Sequence, residues 1–151
     1  LANKFFDAKM RETRSKFGLE MLPIEKAKSV FEVKNHEPIA VIFGSDQSPR
    51  NAAKAYWLMF LNQETGVQFG AEKFAKEYDC AVVFGQIHRV SRGHFKTTFS
   101  LICEDAAKMP YGKITETHTK LLEAKIITDP AYWLWSHRRW KRKRPADVVL
   151  H

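Results

Sequence analysis

The run Ile39-Ala-Val-Ile-Phe43 limits the possible folds more than any other stretch of this chain. Five consecutive apolar residues, rich in branched side chains and without polar alternation, call for burial on both faces, as in a parallel strand flanked by helices. The run breaks off in Gly44-Ser45-Asp46-Gln47-Ser48-Pro49. In open α/β sheets ligands gather outside the carboxyl ends of strands, so Asp46 and Gln47 become candidate site residues, with Arg50, Asn51 and Lys54 behind them. Ser, Asp and Pro are also ordinary turn residues, and a simple turn cap explains the same letters.

The rest of the chain supplies the layers such a strand needs. Its 151 residues suit one domain with a real core. Leu1 to Phe17 reads as a helix with Leu1, Phe5, Ala8 and Met10 on one face and Gly18 as its stop. Its later half is basic, and Arg14 either complements the helix dipole or reaches a phosphate or carboxylate. Glu20 to Pro23 is extended, Ile24 to Val33 is a second helix with Ile24, Ala27, Val30 and Phe31 inward, and Asn35-His36-Glu37 is a turn. Tyr56 to Leu61 (YWLMFL) is a buried strand or an apolar wall. Thr65 and Gln68 read as a capping box, opening a helix with Val67, Ala71, Phe74, Ala75 and Tyr78 inward and Glu72, Lys73, Lys76 and Glu77 outward. Cys80 to Ile87 and Phe95 to Cys103 form a hairpin turning near Gly93, with Phe95, Thr97, Phe99 and Leu101 on one side. After a loop, Lys113 to Thr128 is a helix stopped by Asp129-Pro130.

Catalytic signatures are scarce. His118 and Glu123 fit H-x4-D/E, but five residues along a helix turn the second side chain about 140° away from the first. His118 reads instead as a packed helix histidine. Gly-rich phosphate loops, H-E-x-x-H and G-x-S-x-G are absent, and the other histidines lack metal-ligand spacing. Cys80 and Cys103 lie in apolar runs and read as buried free thiols of a reducing compartment. No stretch has the length and apolarity of a membrane span. The chain starts at Leu1 with structure-forming residues at once, and the expectation is an excised piece of a longer protein.

One segment concentrates the charge. Pro130 to Pro145 (PAYWLWSHRRWKRKRP) holds Trp133, Trp135 and Trp140 among Arg138, Arg139, Lys141, Arg142, Lys143 and Arg144. Those six are part of 25 Lys and Arg; the remaining 19 face 17 Asp and Glu, so most of the net +8 is local. Indoles beside cations suit an anionic membrane surface. They equally suit nucleic acid, with rings on bases and cations on phosphates. A last helix docked through its tryptophans, with a solvated basic tail, is the third reading.

Taken in order, Asp46-Gln47 after a strand, FLNQETGVQFGAEKFA (Phe60 to Ala75) and PAYWLWSHRRWK (Pro130 to Lys141) resemble the late acyltransferases of lipid A biosynthesis, the wording being closest to Bacteroidetes-type members. The similarity runs from about Asn3 to Pro145. It implies an α/β fold of the glycerolipid-acyltransferase type, with a central, mostly parallel sheet flanked by helices. It also implies transfer of a fatty acyl chain from acyl-carrier protein to a hydroxyl of the Kdo-bearing lipid A precursor, without a cofactor or metal, at the cytoplasmic face of the bacterial inner membrane. In the family an upstream anchor and an H-x4-D/E dyad precede the region matched here. Residues 1–145 then correspond to the C-terminal part of the domain and 146–151 to a tail, with no catalytic dyad in this chain. The resemblance makes Arg14, Asp46, Gln47, Arg138 and Arg139 candidate substrate-binding residues. It makes Tyr56, Trp57 and Phe60 candidates for an acyl groove, and Trp140, Lys141, Arg142, Lys143 and Arg144 for a membrane-surface contact. Surface left by a missing half favours self-association. The alternative is a basic–aromatic nucleic-acid-binding module, against which stands the lack of any nucleic-acid-binding motif.

Overall fold

A computed structural model describes residues 3–32 and 38–151, with only the backbone of Ile24. The chain divides into two compact units, Leu1–Ile39 and Ala40–His151. In the first, α1 (Lys4–Ser15) is capped by Asn3, whose side chain accepts from the amides of Phe5 and Phe6. Asp7 and Arg11 pair along it at 2.7 Å, and Gly18, at φ 84, follows its end. A 3-10 turn (Ile24–Lys26) leads into α2 (Ala27–Glu32). The expected end of that helix at Val33 and the Asn35–Glu37 turn fall outside the described residues. Neither helix has a buried residue.

The second unit holds the core. Strand β1 (Tyr56–Phe60) pairs antiparallel with β2 (Gln63–Val67), Phe60 opposite Gln63 and Tyr56 opposite Val67. Leu61 and Asn62 turn the chain between them, both at positive φ, the pattern of a two-residue hairpin turn. This corrects the capping-box reading, because Thr65 lies within β2 and the next helix, α3 (Gly70–Glu77), starts five residues later. Thr65 Oγ1 bonds instead to the Gln63 carbonyl.

Strands β3 (Val82–Ser91) and β4 (His94–Cys103) form the expected hairpin, with Gly93 at φ 79 in its turn. Helix α4 spans Lys113–Thr128, the range read from the sequence. Tyr56, Leu58, Phe60, Val67 and Ile126 form one core cluster, packed on its border by Trp133 and Trp140. Ala75, Cys103, Ala106 and Ile114 form another. Both cysteines are free thiols, Cys103 buried and Cys80 half-buried, and burial pushes both thiol pKa values up.

Two expectations about the sheet change. The described strands make two antiparallel pairs, β1-β2 and β3-β4, rather than a central, mostly parallel sheet; the parallel contact among the described residues is an isolated bridge from Trp57 to Leu150. Residues 39–43 are not in a strand, and Ile39, Val41 and Ile42 are exposed. An apolar run needs burial, but it cannot form a strand without a neighbouring backbone to bond.

Glu72 is a further departure from the sequence pattern. Placed on the outer face of α3 by periodicity, it is 1 % exposed. Its carboxylate accepts from Gly112 N at 2.6 Å, Thr115 N at 2.8 Å and Thr115 Oγ1 at 2.7 Å. It thus closes the N-terminus of α4, whose N-cap, Gly112, has no side chain to do so. Gly112 sits at φ 82, and a Cβ there would lie 2.1 Å from Tyr56 Oη. That hydroxyl donates to Glu116 Oε1 at 2.9 Å, and burial together with this bond raises its pKa.

Candidate functional site

The polar loop after residue 43 and the basic–aromatic segment lie 89 residues apart in sequence, and the fold joins them. Ser48 N–H donates to His137 Nε2 at 3.0 Å. Accepting at Nε2 requires a neutral ring with its proton on Nδ1. Ser48 and Pro49 are buried, Asp46 is half-buried and Gln47 is exposed, so the loop is anchored at its far end and open at its centre.

Residues 130–145 make a strap over β1 and β2 rather than a last helix. After a 3-10 turn at Pro130–Tyr132, short-range main-chain bonds follow: Trp135 N to Trp133 O, His137 N to Leu134 O, Arg139 N to His137 O. A succession of turns sends neighbouring side chains to opposite sides. Trp133 and Trp140 pack by their rings near Phe60, with centroids 6.3 and 6.4 Å away. Trp140 Nε1 donates to Thr65 Oγ1 at 2.8 Å, which satisfies the indole where it is half-buried.

The two adjacent arginines are thereby separated. Arg139 is 4 % exposed; its Nη1 donates to the Gly66 carbonyl at 2.9 Å and its guanidinium lies 5.7 Å from the Phe60 ring centroid. Burial pushes its pKa down to about 10, opposed by the Asp46 carboxylate, and it remains a cation at neutral pH. Arg138 is exposed. Of the two arginines that the resemblance makes substrate-binding candidates, one is a buried cation and the other is exposed. Two polar atoms of this region, Ser48 Oγ and Arg139 Nε, are buried without a hydrogen-bond partner among the described residues.

The remaining candidates divide in the same way. Tyr56, Trp57 and Phe60 are core residues, 3 %, 1 % and 1 % exposed, and Trp57 Nε1 donates to Ala52 O; the outward residue of that strand is Met59. An acyl chain reaches the three only by displacing core side chains, although Tyr56 also lines one side of a cavity of about 440 Å³ with Tyr111, Asp147 and His151. Of the surface group, Trp140 is docked inward. Arg144 grips Glu64 with Nε at 3.0 Å and Nη2 at 3.2 Å, and its Nη1 reaches Val148 O. Lys141, Arg142 and Lys143 are exposed. Arg14 is exposed on α1, in the first unit.

His118 and Glu123 part company as their spacing requires. Glu123 Oε1 accepts from Leu61 N at 2.5 Å, while His118 is buried with Nε2 unpartnered and its pKa lowered by burial. No hydrogen bond joins them among the described residues. Sequence reasoning missed His137 and Glu72. For Glu72 a signal existed, since an uncapped glycine start to α4 needs an acceptor from elsewhere. No group of three or more metal-ligating side chains occurs among the described residues, and no described helix is long and apolar enough to cross a membrane.

The sequence matches the family model described as bacterial lipid A biosynthesis acyltransferase over residues 1–142. No curated protein and no solved structure matches the chain. The family match covers both the loop at Asp46-Gln47 and the strap through Arg142, the two segments that the Ser48–His137 bond brings together.

Proposed function

The chain belongs to the bacterial lipid A biosynthesis acyltransferases, and we propose that it forms the substrate-side, C-terminal part of that catalytic domain. The reaction is transfer of a fatty acyl group from acyl-carrier-protein thioester to a hydroxyl of the Kdo-bearing lipid A precursor. It takes place at the cytoplasmic face of the inner membrane. A general base must remove the hydroxyl proton and a cation must stabilise the developing oxyanion. We assign the base to an H-x4-D/E dyad upstream of these residues, as the family resemblance implies; within this chain His118 is buried and Glu123 holds the Leu61 amide.

The observation that carries this reading is the Ser48–His137 bond, which sets exposed Gln47 and exposed Arg138 on two segments tied to each other. Arg138 offers bidentate pairing to a sugar phosphate or a Kdo carboxylate. Asp46, beside the Arg139 cation, braces the loop that carries Gln47.

The decisive assay compares this chain with a polypeptide extended upstream through the H-x4-D/E motif, using acyl-carrier-protein thioesters and a Kdo–lipid A precursor. Transfer by the longer form alone is the expected result. In that form Arg138→Ala should raise acceptor KM roughly tenfold with a smaller change in kcat, the signature of lost ground-state binding. Wild-type kinetics for Arg138→Ala, or transfer by neither polypeptide, overturns the proposal.

A further inference from the structure

Part of the strap is committed to contacts within the second unit. Trp133 and Trp140 reach Phe60, His137 holds Ser48, and Arg139 holds Gly66. Exposed along the same segment are Tyr132, Leu134 and Trp135, 61 %, 54 % and 56 % exposed, with Ser136 and the cations Arg138, Lys141, Arg142 and Lys143. Trp135 Nε1 already donates to the Pro130 carbonyl at 2.7 Å. Its ring therefore presents hydrocarbon to a partner with no polar group left to satisfy.

We propose that the outer side of this strap is a docking surface for an anionic lipid bilayer, with Trp135 and Leu134 entering the interface and Lys141, Arg142 and Lys143 on lipid phosphates. Two independent features fix the partner's chemistry. Four exposed cations, Arg138, Lys141, Arg142 and Lys143, with no acidic residue between Leu134 and Lys143, suit a negatively charged surface. An exposed aliphatic Leu134 next to an indole requires an apolar phase beneath that charge. Nucleic acid meets the first requirement and not the second, since it stacks on the indole but gains nothing from leucine. The placement also revises the residues read from sequence, replacing Trp140 and Arg144 by Trp135 and Leu134. It rests on the geometry of the strap and not on acyl transfer, and vesicles free of donor and acceptor test it apart from that activity.

The experiment is co-sedimentation of the 151-residue chain with phosphatidylcholine vesicles, with and without phosphatidylglycerol. Binding is expected to the anionic vesicles only and to weaken as salt shortens the screening length. The triple change Lys141→Gln, Arg142→Gln, Lys143→Gln should weaken it on the order of 100-fold. Leu134→Ser with Trp135→Ser should weaken it at unchanged charge, roughly tenfold or more. All five positions are exposed, and unchanged circular dichroism of each variant verifies the fold. Failure to bind anionic vesicles, wild-type binding by either variant, or tighter binding to a single-stranded oligonucleotide than to the anionic vesicles overturns the proposal.

Discussion

At the scale of single residues, two buried groups dominate the second unit. Gly112 combines a left-handed φ with contact against the Tyr56 hydroxyl, so Gly112→Ala meets backbone strain and overpacking together. A loss of roughly 2–4 kcal/mol is expected, read as a lower urea midpoint with an unchanged slope. Glu72→Gln keeps the shape but turns one acceptor oxygen into a donor facing amide N–H groups. About 1.5–3 kcal/mol should be lost. His118 supplies a pH dependence. Burial lowers its folded pKa, partly opposed by the Glu72 charge, so the unfolded chain takes up a proton below about pH 6.5 while the folded chain resists. Its contribution is therefore complete above that pH and is lost as pH falls toward the folded pKa. His118→Gln should show a smaller drop in urea midpoint between pH 7 and 5.5 than wild type.

At the scale of elements, what the sequence revealed depended on whether the cause lay nearby. The limits of α4 were legible because Gly112 and Asp129-Pro130 are local stops. The β3-β4 hairpin was legible from two strand-like runs around Gly93. The β1-β2 hairpin was not, because its turn is Leu61-Asn62, and leucine at φ 49 gives no glycine signal. Without a visible turn, Thr65 and Gln68 imitate a capping box. Glu72 escaped for the opposite reason: periodicity gives it a solvent face, but its partners sit 40 and 43 residues on. Asp46, Gln47 and the strap were legible as a site only through family resemblance. Their junction at His137 needed the fold. Trp140→Phe tests the docking of the strap on β2 at element scale, because it deletes the bond to Thr65 while sparing most of the ring packing. A loss of about 1 kcal/mol is expected from denaturant unfolding.

At the scale of the whole molecule, the β3-β4 hairpin leaves Val83, Ile87, Phe95, Phe99 and Leu101 exposed. Alternation puts these five on one face, with Leu101 opposite Val83. A contiguous apolar face of this kind favours association. Sedimentation velocity should show self-association of the isolated chain that Phe99→Lys with Leu101→Glu abolishes; a monomeric wild type would refute it.

The docking of the strap on the loop and on β2 has a consequence in time as well as space. Its bonds close separations of 89 residues for Ser48–His137, 75 for Trp140–Thr65 and 73 for Arg139–Gly66. Contacts so remote in sequence must pay their loop-closure entropy before they give any return, and they come after the local hairpins and α4. The candidate site is thus assembled at the close of folding, when residues 133–140 reach a platform already made. In pulse-labelled hydrogen exchange during refolding, the Ser48 amide should gain protection after the amides of β3, β4 and α4.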